Sequence, residues 1–263
     1  MRKQIAALTI LALPATASAG VLGFSFGAGY DYWTAEPSGG MDDADTGAGL
    51  NMEDDLNMDD SEEGQLWAYF EHPVPLIPNV RLQQSNLDVA GDDGVFEYTH
   101  QTPFGDFDAE IEDIDSRLDL DMDDFIVYWS PLPENILTLG VLSLDIGLNI
   151  RNVSGDLYME GEDTDDGDTH TVDEDISATV PMGYGSLRAN IPGTGVSLGG
   201  AISTLSFGDN EFTDTTLDVA WRSSMGLGVR GGVRTIDLVL EDAGDVDLDM
   251  EFSGAFLGAF YQF

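Results

Sequence analysis

Two stretches of this chain alternate strictly between apolar and small or polar residues. From Val21 to Thr34 the even positions read Leu22, Phe24, Phe26, Ala28, Tyr30 and Tyr32, and the odd ones Gly23, Ser25, Gly27, Gly29 and Asp31. From Val141 to Arg151, Leu142, Leu144, Ile146, Leu148 and Ile150 alternate with Ser143, Asp145, Gly147, Asn149 and Arg151. A helix would mix both sets on every face, so the pattern predicts strands. Strands of soluble domains run about five or six residues, whereas these stay regular for ten or more. That is the length a tilted strand needs to cross a bilayer. The expectation is a barrel whose apolar face meets lipid and whose small polar face fills the interior.

No helix competes for the membrane, because no apolar run reaches the length of about 18 residues that a spanning helix needs. The N-terminus has basic Arg2 and Lys3, an apolar stretch from Ile5 to Leu13, and the small-residue site Ala17-Ser18-Ala19. This is the layout of a secretory signal. Residues 1–19 are therefore expected to be a cleaved leader, and 20–263 a single barrel domain. The chain has no cysteine, so its stability cannot rest on disulfides.

Punctuation between the strands is asymmetric. Short connections rich in Pro, Gly or Asn lie at 72–79, 130–135, 191–195 and 223–226, and longer or acidic ones at 36–62, 90–110, 160–172, 208–213 and 241–247. Short turns on one rim and long loops on the other are the plan of an outer-membrane barrel. The marks delimit ten antiparallel, up-and-down strands; eight would fit if one hairpin only extends outward. An even count puts both termini in the periplasm, with the acidic loops outside.

Charge is distributed to match. The chain carries fifty acidic residues against nine basic ones, a formal charge of −41. That repels nucleic acid and fits solvation in a salty environment, where screening tolerates self-repulsion. The seven arginines beyond the leader all fall in predicted strands. Asp119, Asp121 and Asp123 share one face of their strand, where three unpaired carboxylates could not sit in an apolar core. A lumen network is expected from these three with Asp145, Arg151, Arg222, Arg230 and Arg234.

The stretches HPVPLIPNVRL, DDFIVYW, DIGLNIRNVSGDLY, VPMGYGSLRANIPGTGVSLG and GLGVRGGVRTIDL, with the terminal Phe263, resemble a family of uncharacterised Gram-negative outer-membrane β-barrel proteins. That family has glycine-rich strands and a C-terminal Phe, and the resemblance implies architecture without a catalytic assignment. Leu257, Ala259, Tyr261 and Phe263 are spaced as the final-strand signal that barrel assembly machinery reads. The opposite face carries Phe252, Phe256 and Phe260 between Gly254 and Gly258. Either these rings pack into a glycine-rich interior, or a bulge shifts the register near Gly258.

The three histidines offer little chemistry: His72 lies in a turn, and His100 and His170 lie near the loop rim. An outer-rim hydrolase, an omptin-like protease or a lipid A deacylase, is the rival reading, and a secreted acidic Ca-binding β-sandwich a third. EGEDTDDGDTHTVDED (160–175) has the composition of a calcium loop but not its ligand order, since Thr164 stands at the third position. Weak Ca or Mg association at the acidic loops is the expectation, with no cofactor. Ten strands enclose little beyond their own side chains. The sequence thus points to a non-enzymatic outer-membrane barrel with a structural or surface role, or a narrow cation-favouring channel. Its partners would be lipid, lipopolysaccharide and the assembly machinery.

Overall fold

The computed structural model describes residues 23–43, 49–74, 76–102, 105–132, 141–163, 169–241 and 246–263. Its strands are β1 (Ser25–Asp43), β2 (Gly49–Asn51), β3 (Ser61–Glu71), β4 (Asn79–Thr102), β5 (Gly105–Leu132), β6 (Leu142–Asp163), β7 (Thr169–Asn190), β8 (Val196–Phe207), β9 (Asn210–Arg222), β10 (Leu227–Leu240) and β11 (Val246–Gln262). Ten of them pair antiparallel in chain order, and β11 returns to β1, which closes a barrel. Three-residue β2 pairs only with the end of β1. A single closed sheet excludes the two-sheet sandwich. The expected leader and the first two alternating residues lie outside the described residues.

The barrel is taller than the loop assignments implied. The segment 90–110 is mostly ladder between β4 and β5, with register shifts around Gly91 and Gly94, and most of 160–172 is ladder between β6 and β7. Acidic composition does not prevent pairing there, because the backbone bonds are made regardless of side chain.

The polarity of the two faces inverts along the barrel. Near the short turns, Phe26, Tyr30, Leu82, Phe125, Ile146, Leu148, Leu198, Leu217, Val229 and Leu257 project outward and are exposed. So continuous an apolar exterior is the lipid-facing band of a membrane barrel. Towards the loop rim the same outward parity carries Glu36, Asn86, Asp88, Asp119, Asp121, Asp123 and Asp156. There the inward parity turns apolar: Trp33, Leu87, Val89, Leu118, Met122, Val153, Ile236 and Phe252 are buried together. Outside water replaces lipid at this level, so the hydrophobic effect pushes the apolar residues inward instead.

This inversion corrects one expectation. Asp119, Asp121 and Asp123 do not face the lumen. They point outward above the apolar band, while their even neighbours Leu118 and Met122 are buried. Carrying the lipid rule past the end of the membrane assigned the wrong face.

At the seam, β11 keeps one register against both β1 and β10, with no bulge at Gly258. The rings therefore pack inward. A Cβ on Gly228 would fall 2.3 Å from the Phe260 ring, so that glycine is the space the ring occupies. Phe26 and Phe263 exchange backbone hydrogen bonds of 3.2 and 3.0 Å, and their rings lie 6.1 Å apart. Leu257, Ala259, Tyr261 and Phe263 share the outward parity of this closing strand.

Candidate functional site

Among the described residues, buried polar chemistry gathers in the lumen, which has three layers. The middle layer is built of ion pairs. Leu217, Val219 and Trp221 face lipid, so period-2 alternation turns Asp214 and Asp218 of β9 inward. By the same rule Asp31 of β1, Asp124 of β5, Arg151 of β6 and Arg230 and Arg234 of β10 point inward and are buried.

These residues form two clusters. In the first, Arg151 donates from Nε to Asp124 Oδ1 at 2.7 Å and from Nη2 to Asp214 Oδ2 at 2.6 Å. Arg234 grips the same Asp214 through Nε at 3.1 Å and Nη2 at 2.7 Å, and its Nη2 donates to Ser85 Oγ at 3.3 Å. Asn149 donates to Asp124 Oδ1 and Ser203 Oγ. In the second, Arg230 holds Asp31 in a fork with Nε to Oδ1 at 2.8 Å. Trp67 Nε1 donates to the same carboxylate at 2.9 Å. Arg188 binds both oxygens of Asp218, at 2.9 and 3.0 Å. Four guanidiniums meet four carboxylates, so the layer is neutral within a chain of charge −41. Charge-assisted, bidentate pairs of this kind are the strong ones.

Aromatic faces complete the layer. Arg234 lies 4.8 Å from the Trp33 ring, and Arg230 lies 4.9 Å from Trp67 and 5.2 Å from Phe256. Cation–π contacts in such a desolvated place stabilise the charge further. The close approach of β11 needs glycine, since a Cβ on Gly258 would stand 1.9 Å from Asp31 Oδ1.

On the loop side the lumen is shut by an apolar plug. After β2 the chain turns at Asn51, whose side-chain oxygen accepts from the Glu53 and Asp54 amides, both at 2.9 Å. Met52, Leu56 and Met58 then insert among the inward residues of β1, β4, β5, β6, β10 and β11. The Asp59 amide donates to Ala90 O at 3.0 Å and the Val95 amide to Asp55 O at 2.8 Å, which ties the plug to β4. The acidic insert expected as a plain outer loop is thus a stopper: its acids face water and its apolar residues face the lumen.

On the turn side lies a cavity of about 1380 Å³, with aromatic walls from Trp67, Tyr69, Tyr128 and Tyr184 and polar ones from Arg81, Asp145, Arg188 and Arg222. Asp145 accepts from Ser130 Oγ at 2.6 Å and Ser186 Oγ at 3.2 Å. Arg222 lies exposed at the cavity mouth. Of the eight residues expected to form one network, Arg151, Arg230 and Arg234 occupy the middle layer. Asp145 and Arg222 line the cavity. Asp119 sits outside, accepting from Arg117, whose bidentate partner is Asp88; Asp121 outside accepts from Asn86, and Asp123 is exposed on the same outer face. The true partners Asp31, Asp124, Asp214 and Asp218 were missed, although the parity set by the lipid-facing trio on β9 marks two of them.

His72 is a turn residue: its Nδ1 accepts from the Val74 amide and its Nε2 donates to Pro78 O, at 3.2 Å each. His170 is exposed on β7, and the side chain of His100 lies outside the described residues. Among the described residues no three acidic or histidine side chains converge as metal ligands.

No protein-family model and no curated protein matches the chain. Among solved structures it is similar to Ail of Yersinia pestis, crystallised with the heparin analogue sucrose octasulfate. That likeness has 12% identity and a TM-score of 0.30, and covers 92% of this chain and 99% of that one. The P. putida toluene transporter TodX gives 10% identity and a TM-score of 0.29 over 93% and 90% of the two chains. The monoaromatic hydrocarbon channel CymD gives 9% and 0.32 over 91% and 88%. Likenesses at this level assign no function to the chain.

Proposed function

We propose that this chain is an integral outer-membrane β-barrel of a salt-adapted Gram-negative bacterium, acting as a surface or structural protein and not as an enzyme. The turn rim and both termini face the periplasm, and the acidic hairpins stand outside. The observation that carries this reading is the doubly closed lumen: a neutral ion-pair layer lies under an apolar plug. A narrow cation-favouring channel, the alternative role, would require the plug to leave and the ion pairs to part. The lipid-facing band would sit in bilayer and lipopolysaccharide, and the outward residues of β11 would present the signal to the assembly machinery.

Conductance in planar bilayers tests the proposal. The expected result is that inserted protein passes no steady current and that Leu56→Asp, which expels the plug, still passes none, while Leu56→Asp combined with Asp214→Ala, which also breaks the shared ion pair, opens a small current. A steady cation-selective current through the unmodified protein would establish the channel role instead.

A further inference from the structure

β7 has a ladder on one side only for much of its length. It pairs with β6 from Thr169 to Ala189, but with β8 only from Gly183 to Asn190. The missing stretch is a consequence of sequence. Asn190 N donates to Val141 O of the β6 side, and Ile191 N to Val196 O of the β8 side. Even residues of β7 therefore bond to β6, and odd ones turn their N–H and C=O the other way. Pro181 is odd and has no N–H to give, so the β8 ladder stops beside it. Beyond it β8 turns back through a tight hairpin at Phe207 and Asn210, whereas β7 runs on to Thr169. Among the described residues, the odd residues Thr171, Asp173, Asp175, Ser177 and Thr179 thus hold a row of backbone groups at an open edge; their side chains are exposed, while Ile176 on the other face packs against the apolar core.

The other edge of the same raised sheet is treated differently. On β4 the plug residues Asp55, Met58 and Asp59 bond to Ala90, Gly91 and Val95. One edge is covered by the chain itself and the other is left for something else. The surface of the open edge says what. Asp173 and Asp175 stand in the outward row with Asp156 and Glu160 of β6, and Val172, Ile176 and Val180 lie on the opposite face. A second copy would set carboxylate against carboxylate, as Asp156 already stands opposite Asp175, and without a hairpin linking the two strands that repulsion disfavours self-pairing.

We propose that the outer stretch of β7 is a docking edge for an extended segment of a partner protein that has lysine or arginine at alternate positions. The segment adds as a strand, its backbone completing the ladder and its cations facing Asp173 and Asp175. This deepens the surface role proposed above and rests on it.

The test uses the full protein in detergent micelles or nanodiscs. The probe is a peptide of about twelve residues alternating lysine with valine or threonine, compared with its glutamate counterpart. The expected result is saturable binding of the lysine peptide only, with new amide-exchange protection at Thr171, Asp173, Asp175, Ser177 and Thr179. Ser177→Pro removes one edge donor and, like native Pro181, leaves the β6 side intact; it should weaken binding about tenfold. Asp173→Lys with Asp175→Lys should abolish lysine-peptide binding. No binding, or binding that protects other amides or survives Ser177→Pro unchanged, overturns the proposal. So does protection of the edge in protein alone through dimer formation. Heat-modifiable migration of the same samples separates the outcomes. A folded barrel without edge protection defeats only this inference, whereas loss of heat modifiability defeats the membrane reading.

Discussion

Asp214 is the residue on which the lumen depends most. It is buried, and two equally buried guanidiniums, Arg151 and Arg234, share it. Removing one member of such a set strands the others without water, at a cost of about 3–5 kcal/mol. Asp214→Ala should therefore lower unfolding stability in detergent by that amount, as read from urea titration. Asp119→Asn, on a solvated outer face, should change it by less than about 0.5 kcal/mol. Gly258→Ala tests the seam at the same scale: its Cβ would collide with Asp31 and displace Arg230, a loss of about 1–3 kcal/mol. Equal effects of Asp119→Asn and Asp214→Ala would mean that the expected lumen carboxylates, and not those found buried, hold the barrel.

Strands carry a second lesson, the inversion of their faces. The amides of β7 beyond Pro181 should show it in exchange: even residues protected by β6, odd ones from Thr171 to Thr179 exchanging freely, and both sets protected between Gly183 and Ala189. Uniform protection through residues 170–180 would mean that the edge is covered. Strand number, the alternation of β1 and β6, the turn rim and the parity of β11 were all legible in the sequence, because lipid outside and small polar residues inside impose one period-2 rule. The middle of β4, RLQQSNLDV, was not legible. Its inward residues run from Arg81 and Gln83 through Ser85 to Leu87 and Val89, while its outward ones run from Leu82 to Asn86 and Asp88. The rule reverses within one strand where lipid gives way to water, and nothing in the local pattern marks that level. The same reversal moved Asp119, Asp121 and Asp123 from lumen to exterior. The plug was hidden for a different reason: Met52, Leu56 and Met58 lie scattered among acids, and only the closed barrel brings them against an apolar interior.

Across the barrel, the outward carboxylates among the described residues lie beyond the lipid-facing band. Beyond the band, burial and the neighbouring carboxylates of Asp88 and Asp121 push the Asp119 carboxyl up, and burial with Glu251 beside it pushes Asp237 up. A carboxyl whose folded value is raised binds protons more readily folded than unfolded, so these groups favour the fold increasingly as pH falls through the carboxylate range. They oppose it at neutral pH. Added salt should relieve the same repulsion. The unfolding midpoint at neutral pH is expected to rise with NaCl, and less so once Asp119 and Asp237 are replaced by Asn. A midpoint that falls with salt would contradict this picture.

The rest of the molecule's chemistry depends on a closed barrel embedded in a membrane. That architecture is tested most directly by electrophoresis of the detergent-extracted protein with and without boiling. The unheated sample should migrate faster than the heated one, as a compact barrel that detergent alone does not unfold, and buffer without detergent should extract nothing. A single band at one position in both lanes, from protein that washes freely into buffer, would contradict it.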